Sequence, residues 1–493
     1  MKHFRGLALA GLFAFFLVCA FSAGAQESGS DIDALFGDEV LVESEQPSQG
    51  TSEQVTATTS AIDPLQGLLK TEAVKIGGSL TGKIGATWTW NDPWNSGFDL
   101  LYPDTHKLSP TLQGLVYFDA RPSEDFRVHG SVKTAWPFSS TRSFLDSAEL
   151  ATLPNPDTLS TTSGSVTIPD IRIFELFSDF QLGDSMYFRF GKATVKWGVG
   201  YFFSPADIIN LEQIDISDPT TQREGPLQFR VFIPYGQSQN TLGFYAIFDS
   251  VNPDFSTTAL AGKAEFVLGN YELGISGYYR YDTSERAAVT FTGPLGNFDV
   301  FAEGVIARGS PKAFYTSFTP TSPYYTEVNP DDVRTTFYPS GTLGFTYSDQ
   351  ENNFTAIAQY YYNGEGYSDS DRTALFNSFT SQLPLIQLAI FQSMANGDIT
   401  NFPQSTGRHY AAANLSFSEI GGSDFSASAL GIMNVSDLSG FVQPSLNWDM
   451  ADYLKLSFST TFGFGADDTE YGLLFQGRPV VIGLSLTAGS GNF

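Results

Sequence analysis

Val74 to Trp90 reads VKIGGSLTGKIGATWTW, and over these seventeen positions the side chains sort by parity. Val74, Ile76, Gly78, Leu80, Gly82, Ile84, Ala86, Trp88 and Trp90 take the even places. Lys75, Gly77, Ser79, Thr81, Lys83, Gly85, Thr87 and Thr89 take the odd ones. Strict alternation sends successive side chains to opposite faces of a sheet, so the stretch is a strand with one apolar and one polar face. Ordinary globular strands run roughly 5 or 6 residues. A tilted strand crossing a bilayer needs about 9 to 11, with overhang. The two tryptophans close the apolar row where Asn91, Asp92 and Pro93 turn the chain polar, as an interfacial aromatic girdle does.

Composition agrees with a β-barrel in a membrane. Of 493 residues only 16% are charged while 15% are aromatic, and the mean hydropathy is -0.09. Half of each barrel strand faces lipid and half faces water, which gives this mixed average. A net charge of -27 disfavours nucleic acid, whose phosphates require clustered Lys and Arg. Cys19 is the only cysteine, so processing beyond it leaves neither disulfides nor cysteine metal sites. No cofactor, metal or catalytic set is expected.

The chain divides into three parts. Residues 1–25 carry Lys2 and Arg5, an apolar run from Leu7 to Phe21 and the small-residue box Ala23-Gly24-Ala25, the pattern of a cleaved secretory signal. Cleavage after Ala25 is expected; acylation at Cys19 is the alternative, although Val18 is bulky for such a signal. Residues 26–71 are acidic and too poor in apolar side chains for a core, so they are expected to form a flexible periplasmic leader. Residues 72–493 are the expected barrel.

Within that barrel the alternation returns in pairs joined by short turns and separated by long loops. Leu112 to Phe118 pairs with Phe126 to Trp136, and Pro137 to Pro169 forms a polar excursion. Phe174 to Leu182 turns at Gly183 and Asp184 into Phe188. Similar pairs run to a last strand at Val480 to Leu486, giving roughly eighteen antiparallel strands, with sixteen as the alternative. Short turns belong on the periplasmic side, which places both termini there. The longest loop, 363–408, has helical spacing over Asp371–Leu383 and Pro384–Ala395.

The signal, the acidic leader, the paired amphipathic strands and the terminal Phe493 resemble those of bacterial outer-membrane β-barrel proteins. Phe190 to Asp207, FGKATVKWGVGYFFSPAD, with Asn210, is similar to a strand and loop of porin-like barrels, and Asp31 to Glu39 is similar to spirochaete leaders. The resemblance implies an outer-membrane lipid environment, passage of small solutes and insertion by a barrel assembly machinery. Phe493 departs from the pattern, being out of phase with Leu484 and Leu486.

Parity also nominates a pore lining. A bulge at Gly191 would keep Arg189, Lys192 and Lys196 on the lumen face. Lys75, Lys83, Arg127, Lys133, Arg230, Lys263 and Arg280 adjoin them, with Glu175, Asp179, Glu265 and Glu272 interspersed. Rows of Arg and Lys favour anions, so the expected function is a passive pore for small polar or anionic solutes. None of Arg189, Lys192 and Lys196 is expected to pack in a core. The same residues also suit a salt-bridged wall. Two rival classes stand beside the pore. His129 and Ser131, two apart on one face, have the types of an acyl-hydrolase pair, although on the polar side. Long loops suit an adhesin or a structural anchor.

Overall fold

A computed structural model describes residues 74–489 apart from 124, 145–163, 184, 196, 210–213, 215–222, 236–239, 250–252, 282–283, 311–314, 319–324, 328–333, 381–405 and 476. The expected signal, leader and Phe493 lie outside the described residues, as do Cys19, Lys196 and the second helical stretch of the 363–408 loop.

The strands are β1 Val74–Trp90, β2 Thr105–Ser123, β3 Phe126–Phe144, β4 Gly164–Leu182, β5 Met186–Lys192, β6 Leu227–Tyr235 and β7 Asn240–Ile247. They continue as β8 Ala259–Leu268, β9 Tyr271–Arg280, β10 Ser284–Leu295, β11 Phe298–Arg308, β12 Tyr315–Phe318 and β13 Tyr325–Glu327. The remainder are β14 Phe337–Asp349, β15 Phe354–Tyr362, β16 His409–Phe417, β17 Phe425–Asn434, β18 Ser439–Ala451, β19 Leu454–Phe464 and β20 Val480–Gly489. Eighteen of them form one antiparallel sheet, from which β12 and β13 stand apart as a loop hairpin. The sheet closes on itself because β1 pairs with both β2 and β20, Ile84 lying opposite Pro110 on one side and Leu486 on the other. Closure leaves no edge strand to aggregate.

The alternation of β1 survives in the exposures. Ile76, Leu80 and Ile84 are more than half exposed on the outer wall, alongside Leu112, Val116, Leu343, Leu415 and Leu446. Outward aromatic rings band the short-turn end, with Phe180 against Phe188 at 5.1 Å, Phe354 against Phe417 at 4.6 Å and Phe425 against Trp448 at 5.4 Å. At the opposite end Trp90 is covered instead of exposed: the 91–104 loop lays Phe98 on it and its Nε1 donates to the Asp99 carbonyl at 2.7 Å. Among the described residues no helix is long and apolar enough to cross a membrane, which says nothing about crossing by strands.

Two expectations change. The polar excursion from Pro137 to Pro169 is shorter than its composition suggests, because β3 runs to Phe144 and β4 starts at Gly164, with Ser139 to Phe144 paired to Pro169 to Gly164. Polar strands above an apolar band leave no alternation to read. The wall also stops at Lys192, where the sequence predicts a bulged strand continuing through Val199.

Candidate functional site

The chain leaves the wall at Gly191, whose φ of 143° lies in the region that favours glycine and where a Cβ would sit 2.2 Å from the Leu176 carbonyl oxygen. Residues 193–195 and 197–209 then fold into the lumen as a strap. Ala193, Val195, Trp197, Phe202, Phe203, Ala206 and Ile209 are all buried. Val195, Trp197 and Ile209 pack on Tyr245 of β7 and Ala261 of β8, with Trp197 edge-on to Tyr245 at 4.9 Å. Phe202 and Phe203 reach the far wall at Ile357, Tyr410, Ala412, Leu430 and Ile432. Burying each large apolar side chain contributes about 1.5–3 kcal/mol, set against about 1–2 kcal/mol per residue for ordering the backbone.

Two polar side chains from the wall fix the strap's path. Glu303 of β11 accepts from the backbone N–H of Val199 at 2.5 Å, Gly200 at 2.7 Å and Ala206 at 2.9 Å, and from Ser204 Oγ at 2.9 Å. Gln359 of β15 accepts from Phe202 N at 2.7 Å and donates to the Phe203 carbonyl and to Thr342 Oγ1, both at 2.5 Å. An irregular segment inside a barrel needs such partners, since its backbone groups are cut off from bulk water. Parity places Glu303 and Gln359 on the lumen face, but nothing local in the sequence reveals what they hold.

Three of the cations nominated on β3 to β6, Arg127, Arg189 and Arg230, are enclosed. Arg189 has no exposed surface; it grips Asp179 at 2.7 and 3.0 Å and lies 3.9 Å over the Phe177 ring. Arg127 donates to Asp119 at 2.7 and 2.5 Å and approaches Asp179 at 3.6 Å. Arg230 lies over Phe232 at 4.9 Å and Tyr245 at 5.5 Å, buried to 1%. The expectation that Arg189 packs in no core is therefore corrected: it is an interior residue paired with a carboxylate, and Arg127 and Arg230 are interior too. Lys192 departs further. Its register neighbours Leu176 and Leu227 are outward residues, and its Nζ donates to the Ile173 carbonyl at 2.9 Å and to Glu224. The bulge at Gly191 becomes an exit from the wall, so Lys192 keeps the parity of Phe188 and Phe190.

His129 sits in the same enclosed wall. Its Nδ1 is 3.4 Å from Asp119 and its Nε2 is 3.7 Å from Glu175, with Phe177 stacked on its ring at 5.1 Å. Ser131 Oγ is buried and makes no hydrogen bond among the described residues. The imidazole thus engages two carboxylates and leaves the serine aside, unlike a base and nucleophile in hydrogen-bond reach.

Other nominated cations stay accessible. Lys75 and Lys83 are exposed and Lys133 is half-buried, its Nζ 5.4 Å over the Phe174 ring. None of the three has an ion pair among the described residues. Register relates them: Ser79 of β1 faces Leu115 of β2, which faces Lys133 of β3, midway between Lys75 and Lys83. Lys107, opposite Thr87 on the same lumen row, continues the series and is also exposed. Four residues of strand separate each level from the next, about 13 Å. Lys263 and Arg280 are instead paired, with Glu265 and with Asp249 at 2.9 Å respectively.

At the long-loop end, α1 (Pro93–Ser96), α2 (Asp369–Thr380) and α3 (Glu470–Leu474) lie between strands. Glu470 is fully buried, accepting from Tyr410 Oη and Asn434 Nδ2 at 2.7 Å each and from Thr406 Oγ1. Burial, and secondarily the neighbouring Asp437, raise its carboxyl pKa to about 8. Asp437 in turn accepts the N–H of Glu470 at 2.9 Å, so α3 is clamped to the β17–β18 turn.

No family model matches the chain, and no curated protein matches it. Among solved structures it is similar to Pseudomonas aeruginosa OccK11 (OpdR), at 8% identity and a TM-score of 0.45, over 84% of this chain and 95% of that one. It is also similar to the outer membrane protein opdK from Pseudomonas aeruginosa, at 9% and 0.42 over 85% and 99%. Acinetobacter baumannii OccAB1 gives 12% and 0.42 over 84% and 96%. At such identities and scores the fold rests on the strand pairing itself.

Proposed function

We propose that the chain is a passive pore of a bacterial outer membrane, admitting small polar and anionic solutes, with residues 1–25 removed, the 26–71 leader and both termini in the periplasm, and the long loops outside. The observation that carries this reading is the series Lys75, Lys133, Lys83 and Lys107, accessible on the lumen face at successive levels of one register. At an effective dielectric of about 20, a Lys and an anion roughly 4 Å apart attract by about 4 kcal/mol before desolvation offsets part of it. Arg189, Arg127 and Arg230 support the wall behind the strap in this scheme, and Lys75, Lys83 and Lys133 meet the solute.

Planar-bilayer recordings of the mature chain in a salt gradient test it. Wild type is expected to conduct with anion preference, and Lys75→Gln/Lys83→Gln/Lys133→Gln to move the reversal potential toward cations. A conducting triple variant with an unchanged reversal potential would remove these lysines from the route. The strap across the lumen is the one feature that favours an anchor instead, and a wild type that never conducts would select that reading.

A further inference from the structure

Register assembles a feature that no single strand displays. Ser348 of β14 faces Thr355 of β15, which faces Ser416 of β16; Ser416 faces Ser428 of β17, and Ser428 faces Ser445 of β18. Ser445 then faces Ser459 of β19, and Gly483 of β20 separates Ser459 from Thr87 of β1. A second row runs parallel one step toward the short turns: Ser426, Asn447, Ser457 and Ser485, then across Gly85 to Ser109. These side chains share the lumen parity, opposite to the outward Leu415, Val442, Leu446, Phe458, Leu484 and Leu486. All are half-buried or exposed, whereas Ile357, Leu430 and Ile432, nearer the long-loop end, lie under the strap.

The belt is nearly free of charge. On the lumen face of β16 to β20 the charged side chains are Asp449 and Lys455, which pair at 3.3 Å near the short turns. Hydrogen bonding among the belt residues is slight: Ser348 and Thr355 hydroxyls lie 3.5 Å apart, and Ser416 donates to the Thr355 carbonyl at 3.4 Å. Ser428, Ser445, Ser459 and Thr87 have no side-chain hydrogen bond among the described residues. A hydroxyl both donates and accepts, and neighbouring strands set such groups about 4.7–4.9 Å apart. A solute dense in hydroxyls can exchange its water for such a row without giving up hydrogen bonds, and it has no charge to be held by the lysines.

We infer that this belt is a binding track for uncharged polyhydroxylated solutes, of the sugar and alditol class, distinct in chemistry from the lysine series, which it meets where Thr87 faces Lys107. As a route through the protein it rests on the pore reading; as a binding surface it does not. Two measurements on the full-length mature chain separate these. Saturation-transfer NMR with sorbitol on detergent-folded protein reads binding alone, and liposome swelling in sorbitol against glycine betaine, which has no hydroxyl, reads passage. The variant is Thr87→Val/Ser428→Ala/Ser445→Ala/Ser459→Ala, with Ser426→Ala/Ser457→Ala/Ser485→Ala as a second variant should the first not fold, and Ser178→Ala, which removes an outward hydroxyl of β4 opposite Phe190, as control. Either belt variant should lose sorbitol signal, on the order of three-fold for each hydroxyl contact removed, and lower the sorbitol to betaine flux ratio. Ser178→Ala should leave both readouts unchanged. A sorbitol signal equal in wild type and belt variants, or absent from wild type, overturns the inference. Retained, belt-dependent binding in a wild type that does not conduct supports the belt and overturns the pore reading.

Discussion

The wall on β3 to β6 and the wall on β17 to β20 with β1 follow the same alternation and are used in opposite ways. In the first, lumen positions carry Arg127, His129, Glu175, Asp179, Arg189 and Arg230, all buried and engaged with one another or with aromatic rings. In the second, they carry hydroxyls, amides and the lysines Lys75 and Lys83, which remain open to the lumen, with Asp449 and Lys455 paired near the short turns. Charge on a lumen row is therefore not by itself a guide to what a solute meets: where cations and carboxylates face one another they pair and are covered, and where lysines or hydroxyls lack such partners they stay open to the lumen.

The comparison breaks most visibly if the cover is released. Glu303→Ala leaves four donors of the strap without their acceptor, at about 1–3 kcal/mol for each that stays buried. We expect the strap to become cleavable by protease and single-channel conductance to rise. An uncleaved strap in that variant would show that its aromatic side chains hold it alone. Next in size, Arg189→Gln leaves the buried Asp179 to the more distant Arg127, 3.6 Å away, and breaking a buried pair costs about 3–5 kcal/mol. The unfolding transition in detergent should shift accordingly, while Lys83→Gln on the open wall should stay within about 0.5 kcal/mol of wild type. Equal shifts for the two would erase the distinction between the walls.

A smaller effect concerns the loops. Because the Glu470 pKa is raised above its ordinary value, to about 8, its contribution to stability is full below the unfolded value. It is lost as pH rises through about 8. Protease nicking around 466–475 should thus be faster at pH 8.5 than at pH 5.5, and Glu470→Gln should remove that difference. The least effect is expected from Ser445→Ala, within about 0.5 kcal/mol by thermal unfolding, since an open surface hydroxyl supports no packing. A larger loss would mean that the belt is structural.

Most of the wall was legible in the sequence, because Ile76, Leu80 and Ile84 obey a period that only a sheet imposes. The exposure of Lys75 and Lys83 followed from the same parity. The strap was not legible: Ala193, Val195, Trp197 and Val199 alternate as wall residues do, and an extended segment crossing a lumen has the same period as one lining it. Its signal is glycine, at 191, 198 and 200; at Gly200 a Cβ would lie 1.9 Å from the Phe203 carbonyl oxygen. The pairing of Arg189 with Asp179 could have been found by counting outward from the turn at Gly183, since hairpin register is set by the turn. The hydroxyl belt was not legible, because its members come from nine strands and the rows are complete only once β20 has paired with β1.

The anchors of the strap also impose an order of events. Glu303 lies 104 residues beyond the Val199 amide it accepts from, and Gln359 lies 157 beyond Phe202. Such long-range contacts form slowly, since the ends of a large loop must first be brought together. Neither carboxylate nor amide is in place until β11 and β15 have joined the sheet, so the lumen stays unfilled through much of assembly. Anchoring the strap is therefore expected to follow the joining of β15, and a chain arrested before that step would hold Phe202 and Phe203 without the far wall they pack on.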